Sequence, residues 1–127
     1  MQDDLPFSLW LFAFVWTNAL ELPVWWLALR KEFPRWWQPV ALCLVVNSIT
    51  HPTLWYLLPR FGSEEVWIPL AEGWVTATEA LLAFAALRWV AHQPARRAAV
   101  RAVAASVAAN VFSTLAGMLI WRLFGFT

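Results

Sequence analysis

Charge is scarce in this chain: only 13% of its 127 residues are Asp, Glu, Lys or Arg, against 61% apolar residues. A water-soluble domain of this size would lack the polar surface to cover itself, so an aqueous globular fold is excluded. Cysteine is nearly absent. The single Cys43 permits neither an internal disulfide nor a Cys-X-X-Cys redox pair. Histidine is rare as well: His51 falls in an apolar stretch and His92 in a polar connection, which argues against a haem held between two buried histidines of one subunit. No metal-ligand spacing is present, so no metal is assigned, and nothing implies a particular cofactor. The net charge of +1 says little about partners. The basic run from Pro94 to Arg101 is too short to argue for nucleic acid and reads as contact with anionic lipid headgroups. A secretory leader is not expected either, because Met1-Gln2-Asp3-Asp4 is acidic where a signal peptide is basic; the first apolar segment should be retained.

What the chain does contain is long apolar stretches. Four of them, about 7–29, 36–58, 66–89 and 98–124, approach the roughly 20 residues needed to cross a bilayer as helices. The expectation is a single transmembrane domain over 1–127, an all-α integral membrane protein whose solvent is the lipid bilayer. Basic residues set its orientation. Arg30, Lys31, Arg35, Arg88, Arg96, Arg97 and Arg101 lie in or beside the connections between helices one and two and between helices three and four. Only Arg60 and Arg122 lie on the other side. Both connections are therefore expected to be cytoplasmic, with both termini, Asp3, Asp4, Glu64 and Glu65 exoplasmic, in what is expected to be a bacterial inner membrane. Tryptophan, with 11 copies, is abundant; Trp10, Trp25, Trp26, Trp36, Trp37, Trp55, Trp67, Trp89 and Trp121 fall near helix ends, where an amphipathic ring suits the interface.

The most informative pattern is a repeat. One gapless shift overlays Trp16 on Trp74, Ala19 on Ala77, Glu21 on Glu79 and Arg30 on Arg88. A second shift overlays Val40 on Val103, Ala41 on Ala104 and Asn47 on Asn110, with Cys43 on Ser106 and Thr50 on Ser113 as near equivalents. The chain thus reads as two parallel helical hairpins, about 7–58 and 66–124, related by a pseudo-two-fold axis along the membrane normal.

Each helix also carries one polar stripe. Thr17, Asn18 and Glu21 share an arc of about 100° on the first helix, as do Cys43, Asn47, Thr50 and His51 on the second. Glu72, Thr76 and Glu79 do so on the third, and Ser106, Asn110, Ser113, Thr114 and Gly117 on the fourth. Lipid cannot satisfy such groups, so the stripes are expected to face one another or a subunit interface. Depth divides them into a midplane site of Glu21, Glu79, Asn18, Asn47 and Asn110 and an upper site of His51 and Glu72. Pro23 and Pro52 are expected to free backbone carbonyls one turn earlier, near Ala19 and Ser48. Gly117 is expected to permit close helix packing, and Ser106, Ser113, Thr76 and Thr114 to bond back to their own helices.

Carboxylates at membrane depth are costly to ionise, which makes them natural proton acceptors, and asparagine beside them can donate to a carboxylate or offer its carbonyl to a cation. Three function classes follow. The first is a proton- or cation-handling transporter or channel, acting as a homo-oligomer because four helices enclose little volume. The second is a non-catalytic membrane subunit or assembly factor whose asparagines and glutamates glue it into a larger membrane complex. The third is an intramembrane enzyme or metal-binding protein using His51, Glu72, Glu79 and Cys43.

Overall fold

In the computed structural model, which describes residues 7–124, the chain is all-helical. Helix α1 spans Phe7–Leu29, α2 Gln38–Pro52, α3 Glu64–Trp89 and α4 Ala95–Phe124. A π-helical turn, Thr53–Leu57, extends α2. Together with that extension, all four are long and apolar enough to cross a membrane. Asp3 and Asp4 lie outside the described residues.

Neighbours in sequence pack as antiparallel hairpins, and α1 also packs on α4 and α2 on α3, so the helices form a closed ring. Outward-facing, exposed positions remain apolar, as at Val15, Leu27, Leu81 and Val100. At the end carrying the α1–α2 and α3–α4 connections, here the hairpin end, the interior is filled by Trp25, Leu29, Ala83 and Leu87. Against these α4 presents Ala98, Ala102, Ala105 and Ala109, all fully buried, at the four-three-four spacing that keeps small side chains on one seam.

Neither proline breaks its helix. Helix α1 continues through Pro23. After Pro52 the ladder widens, and the Leu58 N–H donates to Thr53 O at 2.9 Å in the i to i+5 pattern of a π-turn. At the other end of the bundle His92 takes a left-handed φ of 55° and turns the chain out of α3 towards α4.

Trp25 departs from the interfacial role its position suggests. It is fully buried at the hairpin end, where its large ring fills volume between helices. Trp26 and Trp67 do anchor basic side chains, with the Arg30 guanidinium 4.9 Å above the Trp26 ring and that of Arg60 5.2 Å above Trp67.

Candidate functional site

The five midplane residues picked out by helical spacing converge in the bundle interior, and all are buried. On the first hairpin, α1 and α2 bring Asn47 Nδ2 to Glu21 Oε2 at 3.2 Å and to Asn18 Oδ1 at 3.1 Å. Asn18 is itself held by donating to Phe14 O at 2.8 Å. On the second hairpin, α3 and α4 bring Asn110 Nδ2 to Glu79 Oε2 at 2.6 Å, and the same amide donates to Ser106 O at 2.9 Å. Each carboxylate is thus met by an asparagine of its own hairpin.

Each also meets a hydroxyl of the other hairpin. Ser113 Oγ lies 2.8 Å from Glu21 Oε1, and Thr50 Oγ1 lies 3.2 Å from Glu79 Oε1. Both hydroxyls have a carbonyl of their own helix in reach as well, Asn110 O at 3.2 Å and Val46 O at 2.9 Å. A hydroxyl carries one proton, so it can donate to the carboxylate or to its own backbone, but not to both at once. Ser106 departs from the expected back-bond and donates across to Thr76 O on α3 at 2.8 Å. Cys43, fully buried, lies 3.6 Å from the Asn47 amide.

Glu21, Asn47, Thr50, Glu79, Asn110 and Ser113 form the floor of a cavity of about 940 Å³ that occupies the opposite half of the bundle from the alanine seam. Leu9, Phe12, Trp16, Leu54, Met118 and Phe124 contribute its apolar wall. His51 and Glu72, the upper pair, also line it. The two are not joined by a hydrogen bond among the described residues. His51 sits instead among aromatic rings, with centroids of Phe14 at 5.6 Å, Trp55 at 6.1 Å and Trp10 at 6.5 Å, and its Nδ1 is buried without a partner. Gly117 lines the cavity as well, and a Cβ added there would meet nothing within 4 Å. The expectation of close helix packing at Gly117 is therefore corrected: this position faces the cavity.

His51, Glu72, Glu79 and Cys43 do not form a ligand set. No group of three or more His, Cys, Asp or Glu side chains is placed to hold a metal ion among the described residues.

Sequence reasoning overlooked Glu32. It lies in the α1–α2 connection with its side chain only 2% exposed, and both its oxygens accept from Arg97, Nε at 2.8 Å and Nη2 at 2.9 Å. Arg101 Nε approaches to 3.5 Å, and Gln93 Nε2 donates to the Glu32 backbone carbonyl at 3.2 Å. The bonds from Arg97, with the positive charges of Arg97 and Arg101, hold the Glu32 carboxyl below the usual carboxylate range. Two arginines assigned to lipid headgroups thus close the hairpin end. The available signal was a lone acid in a basic connection, matched by arginines one helical turn apart.

Comparison of the chain with protein families, curated proteins and solved structures yields no match.

Proposed function

We propose that this protein is a proton- or cation-handling membrane transporter or channel, with Glu21 and Glu79 as its titrating centre. The observation that carries the reading is the pair of buried carboxylates on the floor of one cavity, each held between an asparagine and a hydroxyl that has an alternative acceptor. Such a hydroxyl can turn towards a carboxylate that has lost its proton and away from one that has regained it, so the site can exist in both states without rebuilding the helices. Side chains used only as glue would not require acids, since asparagine or serine holds helices together without the cost of ionisation.

The two hairpins, about 7–58 and 66–124, are proposed to be parallel repeats about an axis along the membrane normal. In support, Glu21 with Asn47 and Ser113 corresponds under the sequence overlay to Glu79 with Asn110 and Thr50. The basic hairpin end is proposed to face the cytoplasm of a bacterial inner membrane, with the cavity towards the exoplasmic side and the protein acting as a homo-oligomer.

Purified protein in liposomes under an imposed pH gradient tests this. Proton flux should be carried by the native chain and abolished in Glu79→Gln, while helicity and thermal unfolding stay close to native. If the native chain passes neither protons nor monovalent cations and instead co-purifies strictly with a larger membrane protein, the assembly-subunit reading replaces it.

A further inference from the structure

The cavity is far larger than proton passage requires. A volume of about 940 Å³ lies in the range that accommodates a drug-sized molecule, and its apolar wall with a few polar groups on one side is the usual make-up of such a site. The polar groups restrict what could enter. Among the described residues no lysine or arginine lines the cavity, so these offer nothing to pair with a carboxylate or phosphate headgroup. The amide hydrogens of Asn47 and Asn110 are already spent on the glutamates and on neighbouring acceptors. Beside the Thr17 and Thr114 hydroxyls, which can donate or accept, what remains open is acceptor capacity: the Glu72 carboxyl, which takes part in no hydrogen bond among the described residues, and the remaining lone pairs of Glu21 and Glu79. With three carboxyl groups among its lining residues, the cavity is best complemented by a ligand that supplies N–H donors, positive charge and an apolar body.

Resting on the proton-handling reading above, we infer that the cavity binds a lipophilic organic ammonium, its N–H groups at Glu72 and Glu79 and its apolar body against Phe12, Trp16, Leu54 and Met118, in exchange for a proton held on the carboxyl groups. The exchange conserves charge: one ammonium enters and one proton leaves. The aromatic wall adds to the fit, because ring faces attract a cation that has shed its water.

The experiment uses three molecules of one shape, 1-adamantanamine, 1-adamantanol and adamantane-1-carboxylate, titrated calorimetrically into the full chain in detergent against protein-free micelles. Repeating the titration in two buffers of different ionisation enthalpy counts the protons released. The ammonium should bind at least about tenfold more tightly than the alcohol, the carboxylate should not bind, and about one proton should appear per ligand. Glu72→Gln should weaken the ammonium about tenfold and leave the alcohol unchanged. Glu72 is only half-buried and makes no bond to lose, so this variant should fold even if Glu79→Gln does not. Equal binding of amine and alcohol, or no binding of the amine at millimolar concentration, overturns the inference. Those results leave the flux measurement untouched, so loss of the ligand class and loss of the proton-handling reading are separable: an amine that binds without proton release, in a protein without flux, removes both.

Discussion

The two halves of this bundle solve opposite problems with the same four helices. At the hairpin end α4 brings only alanines to the interior, Ala98, Ala102, Ala105 and Ala109, and the other helices can close around Trp25, Leu29 and Leu87. Beyond Asn110 the inward positions of α4 are Ser113 and Gly117, the facing helices carry Trp16, Leu54 and Glu72, and the interior is hollow. In lipid there is no hydrophobic gain from driving helices together, so contact must come from packing and hydrogen bonding. Small residues therefore close a bundle only where a partner surface fits them. Gly117 shows the converse, a small residue that faces open space.

The hairpin end should consequently be the half that sets stability, and overpacking it should have the largest effect. Ala105→Leu adds three carbons where the side chain is fully buried, and a loss of about 1–3 kcal/mol is expected in reversible denaturation in mixed micelles. Thr114→Leu, at the exposed rim of the cavity, should cost well under 1 kcal/mol on the same scale. Equal losses at the two sites would mean that the halves do not differ in packing.

A smaller effect is expected from the ion pair that ties the hairpin end shut. Arg97 is 54% exposed while its partner Glu32 is buried, so solvent screens the pair from one side and Arg97→Ala should lower stability at neutral pH by less than Ala105→Leu does. The pH dependence is more diagnostic than the size. The folded state holds the Glu32 carboxyl below its ordinary value of 4.5, so its contribution is fully present above that value and is lost as pH falls through the lowered one. Native and Arg97→Ala proteins should therefore differ in unfolding midpoint at pH 7 and converge in acid. A gap that persists unchanged once the carboxyl is protonated in strong acid would assign the loss to packing of the arginine stem rather than to the charge pair.

Much of this was legible in the sequence, and the parts that were not share a cause. Four apolar stretches and four polar stripes are periodic features of single helices, which is why Glu21, Asn47, Glu79 and Asn110 could be placed in the interior before any helix was set against another. The closure of Glu32 by Arg97 depends on how two connections meet in space, and a count of basic residues treats both arginines simply as surface charge. Trp25 was misplaced for a related reason: position along a helix gives its depth in the membrane but not the direction its face turns. The cavity is the extreme case. Its volume is a difference between helix separation and side-chain size, and Gly117 has the same identity in a tight crossing as in an open one.

Gly117 supplies the smallest expected effect on stability and the sharpest separation of the two halves. A Cβ there meets no atom within 4 Å, and alanine is a better helix former than glycine, so Gly117→Ala should be neutral or stabilise by up to about 1 kcal/mol. A tight crossing would give the opposite sign, because the added methyl would force the helices apart. Extending the side chain to Gly117→Leu should still fold, but now at the expense of cavity volume. Binding of 1-adamantanamine should then weaken while proton flux, which needs only the carboxylates on the floor, is retained. Thermal unfolding of the two variants decides the packing question: a drop for alanine would place Gly117 in a closed contact and make the hollow half tighter than its lining residues imply.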